Sequence, residues 1–542
     1  MRLFTTLASV LCFAVIGHSA DRPNLLLLFA DDWGRYASIH GELEPGGIND
    51  VVQTPNFDRI AREGVLFQNA HVSAPSCTPC RSALLTGQHF WRTGTGAILL
   101  GAQFPQELPT FPGLLRDAGY HIGYTYKVWG PGSPSNSPFT NDERYQQAGG
   151  AFNGFSFRVT DSVAKGEAVE AAKAKLLDEV RGNFRAFLDD QEEGQPFLYW
   201  FGPTNVHRKW VKGSGKKLWG IDPDSLEGKM PPYLPDVPAV REDLADYFGE
   251  VAAWDAALAV LEDELAKNGQ ADNTLIAISG DHGAPGFPYG KCNLYDFGTG
   301  VCLAIAGPQV QGGRVVDDFA SLTDIAPTFL ETAGLDTPEI MTGRSLWPTL
   351  KSDQAGLVDD TRTRVFTGRE RHVDNARADY KPYPQRCLRN ADYSFIINFR
   401  PDRWPMGDPY LLEDGNSPSL DELENNTRIT LPDEDAGPTK AWIVTNRSEA
   451  PWDEHFSWVY GKRPEFELYD LSKDPFEATN VADDPAYADI VAELKAELLA
   501  ELEATGDPRL VNDGEFFETS PMSDPAAARK PKGKGKGKAK QK

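Results

Sequence analysis

The residues best suited to chemistry are widely separated along the chain. Asp31 and Asp32 follow directly on the apolar run 24–30, and Asp281, His282 and Gly283 follow on a second apolar run, 274–279. Three carboxylates are hard oxygen donors that suit Ca2+ or Mg2+ better than a soft metal, and His282 adds a nitrogen donor that a purely hard ion does not need. Between them lies Cys77-Thr78-Pro79-Cys80-Arg81-Ser82-Ala83-Leu84-Leu85-Thr86-Gly87. Cys-x-x-Cys can be a redox pair, but that chemistry requires its own βαβ setting, and here an arginine and an apolar segment follow at once. Pro79 suits the first turn of a helix beginning near Arg81. Residue 77 is therefore expected at a helix N-terminus, where backbone N–H groups favour an anion.

Cys77-x-Pro79-x-Arg81 followed by Leu84-Leu85-Thr86-Gly87 resembles the signature of the type I sulfatases, whose cysteine is oxidised to formylglycine. Asp31-Asp32, Lys127, His207, Asp281-His282-Gly283 and Lys291 fall in that family's order, and the resemblance covers nearly the whole chain. Within the family it is most similar to the heparan N-sulfatase (sulfamidase) group, through Gly290-Lys291-Cys292-Asn293-Leu294-Tyr295, Met341-Thr342-Gly343-Arg344-Ser345-Leu346 and Glu467-Leu468-Tyr469-Asp470 with Asp474-Pro475.

The resemblance implies an alkaline-phosphatase-like fold and hydrolysis of sulfate esters or sulfamates on a sulfated saccharide. It implies one Ca2+ held by Asp31, Asp32, Cys77, Asp281 and His282, and a maturation enzyme that makes formylglycine from Cys77. Arg81 would steady the formylglycine, Lys127, His207 and Lys291 would bind sulfate, and His207 is the candidate general acid. The chemistry explains the residue types: a sulfate group repels nucleophiles, so the site must supply cations and a strong attacking oxygen, and a covalent step divides one hard reaction into two. The rival readings are a phosphohydrolase of the same superfamily, which would use Ser or Thr and two zinc ions, and a non-catalytic glycan-binding relative.

Two positions depart from the family pattern. Trp129 stands two residues after Lys127, where relatives commonly place a histidine, leaving His71, His89 and His121 as weaker alternatives for its task. Cys80 would either pair with Cys77, blocking modification, or pack as a buried thiol. Glu370 and His372, in Gly368-Arg369-Glu370-Arg371-His372, combine acid and imidazole near a lobe junction and are expected to bind substrate at a glycan-recognising rim.

These residues require a scaffold, and the patterning is α/β. Runs 24–30, 197–201 and 274–279 read as strands buried on both faces, and 56–63 and 244–265 carry helical periodicity. A large mixed sheet flanked by helices is expected over 21–375. A smaller α+β lobe is expected over 376–512, with a strand at 393–398 and a helix at 487–503. Residues 513–542 are expected to be disordered, with eight basic residues from Arg529 onward. The apolar run 3–17 behind Arg2 reads as a signal peptide ending near residue 20, which implies a secreted or periplasmic protein with no integral membrane segment after cleavage. Five cysteines then remain, an odd number for an oxidising compartment. With 542 residues and a formal net charge of -25, the chain can bury a large core and repels nucleic acid.

Overall fold

The computed structural model describes residues 22–133, 138–412 and 416–520. The expected leader and the basic stretch from Arg529 lie outside the described residues. Strand β1 (Asn24–Ala30) is buried along its whole length, as its unbroken apolar sequence demands of a strand covered on both faces. Its alternate residues serve two cores: Leu26, Leu28 and Ala30 join Trp33, Phe201 and Trp254, while Leu25, Leu27 and Phe29 join Leu84, Trp200 and Phe329.

The further strands are β2 (Val65–Phe67), β3 (Ala70–His71), β4 (His121–Tyr126), β5 (Phe197–Gly202), β6 (Thr274–Gly280), β7 (Leu303–Ala306), β8 (Arg314–Val316) and β9 (Ala320–Ser321). Seven of them form one mixed sheet in the order β4-β5-β1-β6-β7-β2-β8, and β3 pairs with β9 alone. Neighbours among β4, β5, β1 and β6 are parallel, whereas β7 runs antiparallel to β6 and β2. The helix Pro238–Lys267 contributes to one core, and the helices Cys77–Thr86 and Ile325–Thr332 contribute to the other.

Parallel pairing brings the chemistry together. Ala30 lies opposite Gly280 and Tyr126 opposite Gly202, so four adjacent strands discharge their following loops at one sheet edge. Such edges collect ligands in α/β folds. Gly280 is required at this edge, because a Cβ there would lie 2.0 Å from the Trp33 carbonyl oxygen.

A second sheet is antiparallel, in the order β10 (Arg364–Arg369), β11 (Gln385–Asn390), β12 (Tyr393–Asn398), β13 (Phe466–Asp470). The helix Ala488–Ala504 buries Leu494, Leu498 and Leu502, one apolar stripe at i, i+4 spacing, in a cluster with Leu388, Phe395 and Leu468. Two expectations need correction. β10 precedes the boundary expected at 375, because its partner β11 lies downstream and claims it for the C-terminal sheet. Residues 513–520 are not featureless either: a short helix, Glu515–Glu518, buries Phe517 under the guanidinium groups of Arg386 and Arg509. Among the described residues, no helix is long and apolar enough to cross a membrane. Cys77, Cys80, Cys292, Cys302 and Cys387 are all free and buried, so Cys80 packs as a thiol and does not pair with Cys77.

Candidate active site

The helix Cys77–Thr86 begins four residues earlier than its apolar run suggested, with Ser76 as N-cap and Gly87 closing it in the left-handed conformation, φ +61°. Cys77 therefore occupies the first turn. Its Sγ lies 3.4 Å from His282 Nε2 and 3.7 Å from Asp32 Oδ1. Burial, reinforced by Asp31, pushes the thiol well above its ordinary pKa, so the unmodified side chain is held as a neutral SH.

Three cations surround this point. Arg81, fully buried, donates through Nε to Asp281 Oδ2 (2.9 Å) and through Nη2 to Asp31 Oδ1 (3.0 Å). Lys127 Nζ donates to the same Asp31 oxygen at 2.6 Å. Lys291 Nζ lies 3.1 and 3.3 Å from the two oxygens of Asp32 and 3.3 Å from His207 Nε2. Burial opposes both ammonium groups, but Asp31 overcomes it at Lys127 and Asp32 overcomes it at Lys291, and both pKa values end above the ordinary range. Burial likewise opposes the Asp31 carboxylate, yet Lys127 and Arg81 hold its pKa well below the usual range.

The five expected metal ligands divide into two groups. Asp32, Cys77, Asp281 and His282 place donor atoms within 4.8 Å of one another, and Asp31 instead groups with Asp32 and His207. The first group fits a cation. His282 Nδ1 donates to the Gly283 carbonyl (3.1 Å), which turns Nε2 towards the carboxylates. Nε2 lies 3.2 Å from Asp32 Oδ1 and 3.5 Å from Asp281 Oδ1. Two carboxylates, an imidazole nitrogen and a thiol converging on one buried point are a donor set that a cation can bind.

His207 follows β5 and is partly exposed, with Nδ1 donating to the Arg208 carbonyl at 2.5 Å. Nε2 lies 3.3 Å from Lys291 Nζ and 3.7 Å from Asp32 Oδ2. His372 also reaches this region: its Nδ1 lies 2.8 Å from the hydroxyl of Ser76, the N-cap beside Cys77. Burial lowers its pKa to about 3, so its ring is neutral.

Glu370 does not join the site. Arg386 Nη2 (3.0 Å) and Arg509 Nε (3.1 Å) both donate to its Oε1, and Arg509 Nη2 binds Oε2, so no oxygen remains for a sugar. Trp129 donates its indole N–H to Ser82 Oγ (2.9 Å) and carries no proton-transfer chemistry. The three alternative histidines have partners elsewhere: His71 with Thr299, His89 with Glu501 and Trp91, and His121 with Tyr145 and Phe187. Sequence reasoning missed Asp435, whose Oδ2 lies 3.3 Å from Lys291 Nζ. It also missed Tyr247, whose hydroxyl donates to the Asp32 carbonyl at 2.8 Å.

A cysteine at a helix N-terminus, ringed by cations at the carboxyl edge of a mixed sheet, is a setting suited to binding an anion. Residues 23–335, more than half of the chain, match the Sulfatase family model, and the chain belongs to the sulfatase family, enzymes that hydrolyse sulfate esters or sulfamates. Among its relatives, human N-sulphoglucosamine sulphohydrolase is 28% identical, with 91% of this chain and 93% of that protein covered. An ulvan-active sulfatase of Formosa agariphila is 25% identical over 92% of this chain and 77% of its own length. A protein solved in complex with its substrate D-glucosamine-2-N,6-O-disulfate shares the fold, with TM-score 0.60 and 18% identity, covering 91% of this chain and 99% of that one.

Proposed function

We propose that the protein is a secreted or periplasmic sulfatase that removes sulfate, as ester or sulfamate, from a saccharide, using formylglycine derived from Cys77 beside one Ca2+. The observation that carries this reading is the position of Cys77: its sulfur stands where Asp32, Asp281 and His282 converge, within the ring of Arg81, Lys127 and Lys291. Likeness to the human sulphoglucosamine enzyme along most of both chains supports a saccharide substrate.

Formylglycine would supply the attacking oxygen that a buried neutral thiol lacks, and Ca2+, when bound, would supply positive charge for a sulfate oxygen. Lys127 and Lys291 bind the remaining sulfate oxygens, and the first-turn N–H groups of the helix Cys77–Thr86 face the same charge. Arg81, locked between Asp31 and Asp281, fixes the helix against the carboxylates. His207, whose Nε2 lies beside Lys291, is the proton donor to the departing oxygen or nitrogen.

The test is peptide mass spectrometry of active protein together with the Cys77→Ser variant. Residue 77 should have lost sulfur and gained an aldehyde oxygen. Cys77→Ser should fold and retain metal yet turn over little or no substrate. Unmodified Cys77 in a fully active preparation would falsify the formylglycine mechanism. In the same assays His207→Ala should lose more rate on alkyl sulfates than on activated aryl sulfates, and equal losses argue against its acid role.

A further inference from the structure

We propose that Asp435 is a specificity residue: its carboxylate selects saccharides that present a hydrogen-bond donor beside the sulfated position and rejects those carrying a second sulfate there. This rests on the saccharide-sulfatase reading above and sharpens it.

Asp435 comes from the C-terminal lobe, in the segment 431–437 that precedes β13. The segment is fixed on both sides of it. Asp433 pairs with Arg369 (2.9 Å) and Arg377 (3.0 Å) and accepts from the Val373 N–H (3.1 Å). Lys440 Nζ donates to the carbonyls of Leu431 (3.1 Å) and Glu434 (2.7 Å). Gly437 lies so close to Arg208 that a Cβ would sit 2.4 Å from the guanidinium, and Arg208 is itself held by both oxygens of Asp243. A Cβ on Gly286, in the loop between Asp281 and Lys291, would meet the Asp435 carbonyl oxygen at 3.0 Å. The carboxylate is therefore presented by a rigid backbone, as a recognition group must be.

Holding Lys291 does not require this acid. The ammonium has three protons, and the two oxygens of Asp32 and the ring of His207 already lie within 3.3 Å of it. Asp435 Oδ2 lies 3.3 Å from this ammonium and, among the described residues, accepts no hydrogen bond. The side chain as a whole is 18% exposed, while its Oδ2 is buried against Lys291. The Lys291 ammonium keeps it ionised against its burial.

An ionised carboxylate only accepts hydrogen bonds, and so does a sulfate. It cannot bind the scissile group, and a sulfate oxygen held by the same ammonium would lie at most about 6 Å from it. What fits there is a donor on the sugar, a hydroxyl or an N–H. A second sulfate at that position meets like charge in a site of reduced dielectric and leaves the carboxylate without a donor, a penalty that corresponds to about tenfold or more in kcat/KM.

The experiment uses the mature metal-bound enzyme, Asp435→Asn and Asp435→Glu. It compares N- and O-sulfated monosaccharides in matched forms that differ only by a hydroxyl or a second sulfate beside the scissile group. The parent should favour the hydroxyl form by about tenfold or more. Asp435→Asn should bring that ratio within about twofold, and Asp435→Glu, which keeps the charge, should retain most of it. An unchanged ratio in Asp435→Asn, with both rates falling together, overturns the inference and makes Asp435 a support for Lys291 alone. Should Asp435→Asn not fold, a parent without preference between the two forms overturns it equally. A parent that cleaves an aryl sulfate but no sugar removes the saccharide reading, and this inference with it.

Discussion

Two clusters of buried charge lie in this molecule, built from similar side chains and put to opposite uses. In the C-terminal lobe, Glu370 and Asp507 meet Arg386 and Arg509. Both oxygens of each carboxylate are engaged, Asp507 by Arg386 Nε (2.6 Å) and Nη2 (3.0 Å) and by the Arg509 N–H (2.9 Å). At the sheet edge, Asp32, Asp281, His282 and Cys77 also lie within a few ångströms of one another, but there no guanidinium stands between the imidazole and the carboxylate oxygens it faces. The first cluster is closed and holds the structure together. The second gathers carboxylates, an imidazole and a thiol around one point, a donor set that suits a cation.

Disturbing the second cluster should have the largest effect. Exhaustive metal removal, or Asp281→Asn, should lower activity by at least about 100-fold, because both the ligand set and the partner of Arg81 are altered. Chelation should also lower the Tm of the parent, by linkage, while the Tm of Asp281→Asn should respond little to chelator. Full activity and an unshifted Tm in metal-free protein would remove the metal assignment.

The closed cluster should answer differently. Glu370→Gln leaves two buried guanidinium groups short of charge and should cost about 3–5 kcal/mol of stability, read from urea midpoints. Activity per folded molecule should stay within about twofold, since nothing at Cys77 depends on it. Altered sugar selectivity with stability retained would return Glu370 to the substrate rim.

This contrast marks how far the sequence could be read. β1 and β12 coincide with their expected runs, and the helix Ala488–Ala504 is displaced by one residue, because local periodicity specifies each of them. The nearness of Asp32, Cys77, Asp281 and His282 could be expected, since two strand ends and a helix start place them, whereas Asp31 groups instead with Asp32 and His207. The partners of Glu370 and Asp435 could not be. Glu370 is closed off by Arg509, 139 residues later, and Asp435 reaches Lys291 from the other lobe. Whether a buried acid finds a guanidinium, an ammonium or open space is decided by long-range packing that leaves no periodicity behind. β10 was assigned to the wrong lobe for the same reason: its pairing partner lies beyond the apparent boundary.

Glu250 sharpens the comparison with a third case, a buried carboxylate served only by neutral donors. It sits on the helix Pro238–Lys267 and accepts from the Ser156 N–H (3.2 Å) and from Asn205 Nδ2 (3.2 Å), two residues before His207. With no cation beside it, burial raises its pKa from 4.5 to about 7. The sign follows from proton counting. Between about pH 4.5 and 7 the folded state keeps a proton that the unfolded chain has lost, so this group's stabilisation is complete below that window and falls away as pH rises through it. Glu250→Gln, which cannot ionise, should therefore gain on the parent by about 2 kcal/mol between about pH 5 and pH 7. Asp246 and Asp255, raised to about 7 and about 6, titrate in the same range in both proteins, so only the difference between variant and parent isolates Glu250. Urea midpoints at the two pH values decide it. Parallel pH dependences would mean that Glu250 is ionised at neutral pH, and that a buried acid needs no cation here to keep its charge.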